Sequence, residues 1–101
     1  MRAITITYQY NGPEHDWQQA IDAFIAALES DSRLKGRFEY QVAVADDNQT
    51  RIHWGRWDDP NTLAYLQAQS FFKDFATKIR GFSGNGPTAT GHNVVAKTSG
   101  W

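Results

Sequence analysis

The chain has 101 residues, with ten Lys and Arg against eleven Asp and Glu and no cysteine. This length predicts one domain over residues 1–101, and the balanced charge argues against nucleic-acid binding, which needs a basic surface. The lack of cysteine excludes disulfides, thiolate metal sites and cysteine nucleophiles. No apolar run reaches the length of a membrane span, and the alternating N-terminus does not resemble a signal peptide. We therefore expect no membrane partner and a cytoplasmic location.

Strand and helix patterns alternate through the first half of the chain. Residues 3–10 alternate apolar or aromatic side chains with polar ones, which predicts a first strand. Apolar residues at three- and four-residue steps from Trp17 to Leu28 predict a helix that ends near Ser30–Ser32. Two further strands are predicted over residues 38–44 and 50–57, joined by a polar turn at residues 46–49.

The second half predicts another helix and a last strand. The helix is expected over Asn61–Arg80, with Asp59 as its N-cap, Pro60 at its first position and Gly81 just beyond its end. Residues 83–91 are rich in glycine but match no phosphate-binding motif, so they predict a loop. The last strand is expected over His92–Thr98.

This order of elements predicts a ferredoxin-like βαββαβ domain of the α+β class, in which two helices cover one face of a four-stranded antiparallel sheet. Toward the helices we assign Ile4, Ile6, Tyr8, Phe38, Tyr40, Val42, Ile52 and Trp54. To the opposite face we assign Thr5, Thr7, Gln9, Glu39, Gln41, Ala43, His53 and Trp57. That face is polar but carries little charge, which favours pairing with a second copy as a homodimer. A solvated face is the alternative.

The stretch from Ile52 to Ile79 resembles the antibiotic biosynthesis monooxygenase-like members of the dimeric α/β-barrel superfamily. The features that carry the resemblance are Trp57 at the end of the third strand, an acidic N-cap, and Leu63, Leu66, Phe72 and Phe75 on the following helix. The resemblance implies a dimeric barrel made of two such domains. It also implies cofactor-independent oxidation of a polycyclic aromatic substrate as the candidate activity.

The sequence departs from the family pattern at the residue that would bind haem. Haem-degrading members use a His on the second helix as axial iron ligand, together with an Asn and a Trp, for which Asn11 and Trp54 are candidates here. This sequence has Gln69 and Ser70 where that His is expected. We therefore expect no metal and no cofactor. The superfamily also contains stress-responsive and uncharacterised proteins without demonstrated activity.

His53 is the candidate catalytic residue, because a histidine can act as acid or base near neutral pH. A hydrogen bond across a dimer interface is the alternative role. Tyr8, Tyr40, Trp54 and Trp57 are expected to cluster, either as ordinary core or as the walls of a slot for a flat aromatic ligand. The candidate substrate-binding residues are Tyr8, Tyr40, Trp54, Trp57, Gln69 and Phe72.

Three candidate functions stay open. The leading one rests on the resemblance and the aromatic cluster: a dimeric α/β-barrel protein that binds a hydrophobic or aromatic small molecule, with cofactor-independent monooxygenase as its candidate activity. The second is a non-enzymatic protein of the same fold, whose aromatic residues serve only the core and the dimer interface. The third, a metabolite-sensing dimer, is weaker because the chain shows neither a DNA-binding partner domain nor an acidic effector site.

Overall fold

A computed structural model of the chain describes residues 1–84 and 86–100. Its seven elements follow in the order β1 (Arg2–Gln9), α1 (Glu14–Ser30), β2 (Phe38–Val44), β3 (Thr50–Trp57), α2 (Pro60–Gln67), α3 (Ser70–Ser83) and β4 (Thr88–Asn93). The strands form one antiparallel sheet in the order β2-β3-β1-β4. This is the ferredoxin-like arrangement, so the predicted fold is confirmed.

The helix predicted over Asn61–Arg80 is wrong, because the structure has two helices there. Gln69 has an extended backbone, with φ −79° and ψ 140°, and separates α2 from α3. Its amide N–H donates to the Leu66 carbonyl at 3.0 Å, and its own carbonyl accepts the amide of Phe72 at 3.2 Å. One residue thus ends one helix and starts the next. The predicted start is confirmed, since the Asp59 side chain accepts the amide of Asn61 and Pro60 opens α2.

The end of α3 also differs from the prediction. The helix passes through Gly81 and ends at Ser83, and Gly84 follows it with φ 72°. Positive φ is easily reached by glycine, so Gly84 rather than Gly81 marks the end of the helix.

The last strand begins and ends earlier than the predicted His92–Thr98. It spans Thr88–Asn93 and pairs with β1, with Thr88 opposite Thr7 and His92 opposite Ala3. All six of its residues are exposed, as expected for an edge strand with no apolar alternation. The loop predicted over residues 83–91 therefore contains the first four of the six residues of β4. Its residue Asn85 lies outside the described residues.

The predicted faces of β3 are reversed in the structure. In the pairing with β1, Ile6 lies opposite His53 and Tyr8 lies opposite Arg51. Residues directly opposite each other share a face of the sheet. His53 and Trp57 therefore face the helices, while Ile52 and Trp54 lie on the other side, called here the open face. Apolar residues occupy both sets of alternate positions in β3, so the hydrophobic pattern does not determine which set is buried.

The core lies between the sheet and the helices. From α1 it receives Trp17, Ala20, Ile21, Phe24 and Leu28, which lie on the predicted stripe and are all buried. The rings of Phe24 and Phe75 stack with centroids 3.9 Å apart and planes 2° from parallel. This contact joins α1 to α3 above the middle of the sheet.

Arg51 is a charged residue within this core, only 1% exposed. Its guanidinium pairs with the carboxylate of Glu14 at the start of α1, and it donates to the carbonyl of Tyr10 at 3.0 Å. It also lies 4.4 Å from the centroid of the Trp17 ring, a cation–π distance. A buried charge is tolerated when it is paired and hydrogen-bonded in this way.

Candidate functional site

A cavity of about 350 Å³ separates the helix-facing side of the sheet from α2 and α3. This volume is within the range of small-molecule sites, roughly 300–1,000 Å³. The sheet contributes Ile4, Ile6, Phe38, Tyr40, His53 and Trp57, and the remaining lining residues are Phe24, Leu63, Leu66, Gln67, Phe72, Phe75, Ala76, Ile79, Arg80 and Pro87. Most of these side chains are apolar. The lining residues with polar side-chain groups are Tyr40, His53, Trp57, Gln67 and Arg80.

Aromatic rings form the walls of the cavity at the sheet. The rings of Phe38 and Trp57 lie 8° from parallel, with centroids 6.1 Å apart. The rings of Tyr40 and Phe38 lie over Gly55. A Cβ atom at that residue would be only 3.2 Å from Tyr40 Cδ1 and from Phe38 Cζ. The missing side chain at residue 55 therefore leaves room for both rings. Flat walls of this kind suit a flat ligand.

Four side chains form a continuous hydrogen-bond chain beneath the cavity. Trp17 Nε1 donates to the hydroxyl of Tyr8 at 2.8 Å. The same hydroxyl lies 2.8 Å from His53 Nε2, and His53 Nδ1 lies 2.7 Å from the hydroxyl of Tyr40. Trp17, Tyr8 and His53 are buried, whereas Tyr40 is partly exposed at the cavity. We call these four residues the hydrogen-bond chain.

Burial determines the protonation of the hydrogen-bond chain. It lowers the pKa of His53 to about 4, because the charged imidazolium loses its hydration. Burial also raises the pKa of Tyr8 and that of Tyr40. At neutral pH the imidazole and both phenols are therefore uncharged. His53 then has one nitrogen that donates and one that accepts.

The predicted site residues are only partly brought together. His53, Tyr40, Trp57 and Phe72 line the cavity, whereas Tyr8 lies behind His53 and reaches the cavity only through it. Trp54 is on the open face, because β3 has the reverse orientation to the one expected.

Gln69 is also absent from the cavity lining, and its side chain donates to the Tyr65 carbonyl at 2.8 Å. Gln67, the last residue of α2, lines the cavity instead. Asn11 and Trp54, the pair considered for haem, are both absent from the cavity lining within the described residues.

Several lining residues were not predicted as part of a site. Phe24 lines the cavity, and Trp17 belongs to the hydrogen-bond chain behind it. Both fall on the predicted apolar stripe of α1, and that stripe was the available signal for them. Gln67 and Arg80 bring polar groups to the cavity from α2 and α3. Nothing in the sequence distinguishes either one from an ordinary exposed helix residue.

The described residues contain no group of three or more His, Asp or Glu side chains placed to hold a metal ion. No helix within residues 1–84 and 86–100 is both long and apolar enough to cross a membrane.

Comparisons with known proteins locate the chain by its fold. No family model matches the sequence, and no curated protein matches it. Solved structures do match over almost the whole chain. A cofactor-independent oxygenase, SnoaB from Streptomyces nogalater, superposes with a TM-score of 0.77 at 13% identity, covering 97% of this chain and 96% of that one.

Two further structures show the range of proteins with this fold. A proposed antibiotic biosynthesis monooxygenase from Deinococcus radiodurans has a TM-score of 0.73 at 13% identity, over 98% of this chain and 97% of that one. A dimeric ferredoxin-like protein of unknown function from Jannaschia sp. CCS1 has a TM-score of 0.67 at 11% identity, over 93% and 100%. The predicted resemblance to antibiotic biosynthesis monooxygenase-like proteins is confirmed as a likeness of fold.

Proposed function

We propose that this protein binds a flat, hydrophobic aromatic molecule in the cavity between the sheet and α2–α3 and oxidises it without a cofactor. The observation that carries the proposal is a mostly apolar cavity with aromatic walls, in which a buried hydrogen-bond chain supplies the polar group at the sheet. Pockets with these properties are the usual sites of small-molecule binding. The fold shared with a cofactor-independent oxygenase supports the choice of reaction.

The reaction we propose converts a phenol to a quinone. The phenol and one molecule of O₂ give the quinone and one molecule of water, so that one oxygen atom enters the ring and the other is reduced by the substrate itself. Such a substrate becomes reactive toward O₂ when its hydroxyl group is deprotonated to the phenolate. A hydrogen bond from the Tyr40–His53 pair to the phenol oxygen would stabilise the phenolate in a mostly apolar cavity. His53 is the proposed catalytic group and acts through Tyr40: its Nδ1 lies 2.7 Å from the Tyr40 hydroxyl and holds that hydroxyl as a donor to the phenolate, while the phenol proton passes to solvent.

Binding is tested by filling the cavity. Ala76 of α3 lines it, whereas Ala64 of α2 is exposed and does not. We expect the Ala76→Phe variant to bind naphthols and naphthoquinones at least about tenfold more weakly than the unmodified protein, because the added ring occupies the ligand's volume. Ala64→Phe is the matched control and should bind normally. Titration of intrinsic tryptophan fluorescence measures both, and equal affinities in the two variants would contradict the proposed site.

Catalysis is tested separately from binding. An oxygen electrode would record O₂ uptake with naphthols that bind, and a loss of uptake in His53→Gln with retained binding would support the proposed role of His53. Unchanged uptake in that variant would exclude His53 from the reaction.

One observation favours a non-enzymatic protein of the same fold as the second candidate. Both nitrogens of His53 are hydrogen-bonded, and burial keeps the imidazole neutral, so the residue already has a complete structural role. A neighbour of the same fold also has no known function. Tight binding of aromatic ligands without any O₂ uptake would favour this candidate over the monooxygenase.

We also propose that the open face pairs with the same face of a second copy. With β3 in its observed orientation, this face carries Ile52 and Trp54 beside the threonines of β1, and these side chains are only partly buried in one chain. It is therefore more apolar than the sequence alone indicated, and a partly exposed Trp is typical of protein interfaces. A dimeric neighbour of the same fold supports a homodimer.

A further inference from the structure

The hydrogen-bond chain has two possible directions. In one, the Tyr40 hydroxyl can donate its hydrogen to a ligand; in the other, it donates to His53 and can only accept from a ligand. We propose that it runs from Trp17 through Tyr8 and His53 to Tyr40, so that the Tyr40 hydroxyl donates its hydrogen into the cavity and selects ligands with an acceptor oxygen there. The direction of the chain is a property of the protein by itself. Its effect on ligand choice rests on the proposed binding function.

The first link is fixed by the chemistry of Trp17. An indole nitrogen carries a hydrogen and has no lone pair available, so Trp17 Nε1 can only donate. Its single acceptor is the Tyr8 oxygen, at 2.8 Å. Tyr8 must therefore accept at this contact, and its own hydrogen is left for a second partner.

The second link concerns where the Tyr8 hydrogen goes. Donation to His53 Nε2, at 2.8 Å, satisfies it. In the reverse direction His53 would donate to Tyr8, and the Tyr8 hydrogen would have no acceptor among the described residues. Tyr8 is 7% exposed and does not line the cavity, so a ligand there does not reach it. A buried hydroxyl hydrogen without a partner is disfavoured, because it has lost its bond to water without replacement.

The third link follows from the neutral state of His53. A neutral imidazole has one N–H, and Nε2 is already the acceptor of Tyr8, so the hydrogen lies on Nδ1 and is donated to the Tyr40 oxygen at 2.7 Å. The hydrogen of Tyr40 itself then has no partner within the described residues. Because Tyr40 lines the cavity, a ligand can accept this hydrogen. The Tyr40 hydrogen, which is unpaired within the described residues, thus lies where a ligand can accept it.

The consequence for recognition is a preference for ketones, quinones and phenolates over molecules without an acceptor oxygen at that wall. One hydrogen bond between uncharged groups changes affinity by about three- to tenfold. The rest of the cavity is mostly apolar and would bind both kinds of molecule through their rings.

The direction itself is tested by nitrogen-15 NMR of the ligand-free protein at neutral pH. The other two histidines, His15 and His92, are exposed, so a double variant with Asn at both positions leaves His53 as the single histidine. We expect Nε2 to have the chemical shift of an unprotonated nitrogen and Nδ1 that of a protonated one. The opposite assignment, or an averaged one, would overturn the proposed direction.

The ligand preference is tested with α-tetralone and tetralin, which differ by a carbonyl group in place of a methylene. We expect Tyr40→Phe to weaken binding of α-tetralone relative to tetralin by about three- to tenfold, since only the ketone loses a hydrogen bond. Tyr65→Phe is the matched control, because the Tyr65 hydroxyl donates to Asp31 outside the cavity and its loss should leave the ratio unchanged.

The outcomes separate this inference from the proposed function. An unchanged ratio in Tyr40→Phe would overturn the assignment of Tyr40 as the ligand-facing donor. If neither molecule binds, the binding proposal and the ligand preference both fail, while the NMR result still decides the direction of the chain.

Discussion

His53 is a polar residue on the helix-facing side of the sheet, where it lies between Ile6 of β1 and Val42 of β2. It is 1% exposed, and its two nitrogens contact Tyr8 and Tyr40. Replacing both partners of such contacts with apolar groups costs little in many proteins, whereas removing one partner leaves the other unpaired. The three residues therefore form a unit whose members depend on one another.

The buried imidazole makes stability depend on pH. Its pKa is about 4 in the folded chain and 6.5 in an unperturbed histidine, so between these values the unfolded state binds more protons. The free energy of unfolding therefore falls as the pH is lowered from about 6.5 to about 4, by on the order of 3 kcal/mol for this one group. Below about pH 4 both states are protonated and the loss is complete.

The His53→Gln variant isolates this effect, because the carboxylates of both proteins titrate alike. Urea unfolding measured from about pH 8 to about pH 4 should show the stability advantage of the unmodified protein shrinking as the pH falls. Parallel stability curves for the two proteins would contradict the assignment of a lowered pKa to His53.

The sequence indicated His53 and Tyr40 as site residues but not their relation. In β3, the residues Arg51, His53 and Trp57 alternate with Ile52 and Trp54, and each set contains a tryptophan. The structure buries the set that contains Arg51 and His53, because Glu14 and the two tyrosines supply their hydrogen-bond partners. Those partners come from distant elements, so a pattern read along one strand does not show that these polar residues are buried.

At the scale of elements, the junctions between helices position the cavity lining. The break at Gln69 lets α2 and α3 pack as separate helices, and both contribute to the cavity. The start of α2 is fixed by Asp59, whose side chain accepts the amide of Asn61. A stable start to α2 therefore contributes to the shape of the site.

Removing this cap should destabilise the protein modestly. We expect Asp59→Ala to lower the free energy of unfolding by about 1 kcal/mol, and Asp59→Asn to lose much less, because an asparagine oxygen also accepts the amide hydrogen. Asp46→Ala, in the exposed turn between β2 and β3, is the control and should have little effect. Urea denaturation measures all three variants. An equal loss in the Asp59→Asn variant would argue that the hydrogen bond is not the source of the stability.

Most element positions were predictable, since periodicity and caps are local properties. The first three strands and α1 were predicted to within a few residues. The last strand was predicted too far toward the C-terminus, because Val94 and Val95 match a strand pattern better than the residues of β4 do. The residues of β4 nevertheless pair with β1, although every one of them is exposed. Pairing partners at the edge of a sheet outweigh local propensity in this case.

At the scale of the whole molecule, the proposed homodimer depends on the open face. If it pairs with a second copy, a charge at its centre should separate the two chains. Thr7 lies in the middle of β1 on this face, and Gln19 is exposed on α1 on the other side of the molecule. We expect the Thr7→Arg variant to be a monomer, because like charges meet across a two-fold interface and lose hydration there.

Size-exclusion chromatography with light scattering measures the assembly. The unmodified protein and Gln19→Arg should both have twice the 11.4 kDa mass of the chain. A mass of one chain for the unmodified protein would rule out the homodimer. A dimeric Thr7→Arg protein would place the interface elsewhere on the surface.

Gly55 offers a means of protein engineering that leaves every hydrogen-bonding group in place. The rings of Phe38 and Tyr40 lie over it, and a methyl group there would be 3.2 Å from each of them, closer than they tolerate without shifting. An alanine at this position would therefore re-aim the Tyr40 hydroxyl by a few tenths of an ångström without altering any reactive atom. If the proposed function holds, Gly55 would set where the acceptor oxygen of a ligand lies, although residue 55 itself contributes no side chain to the site.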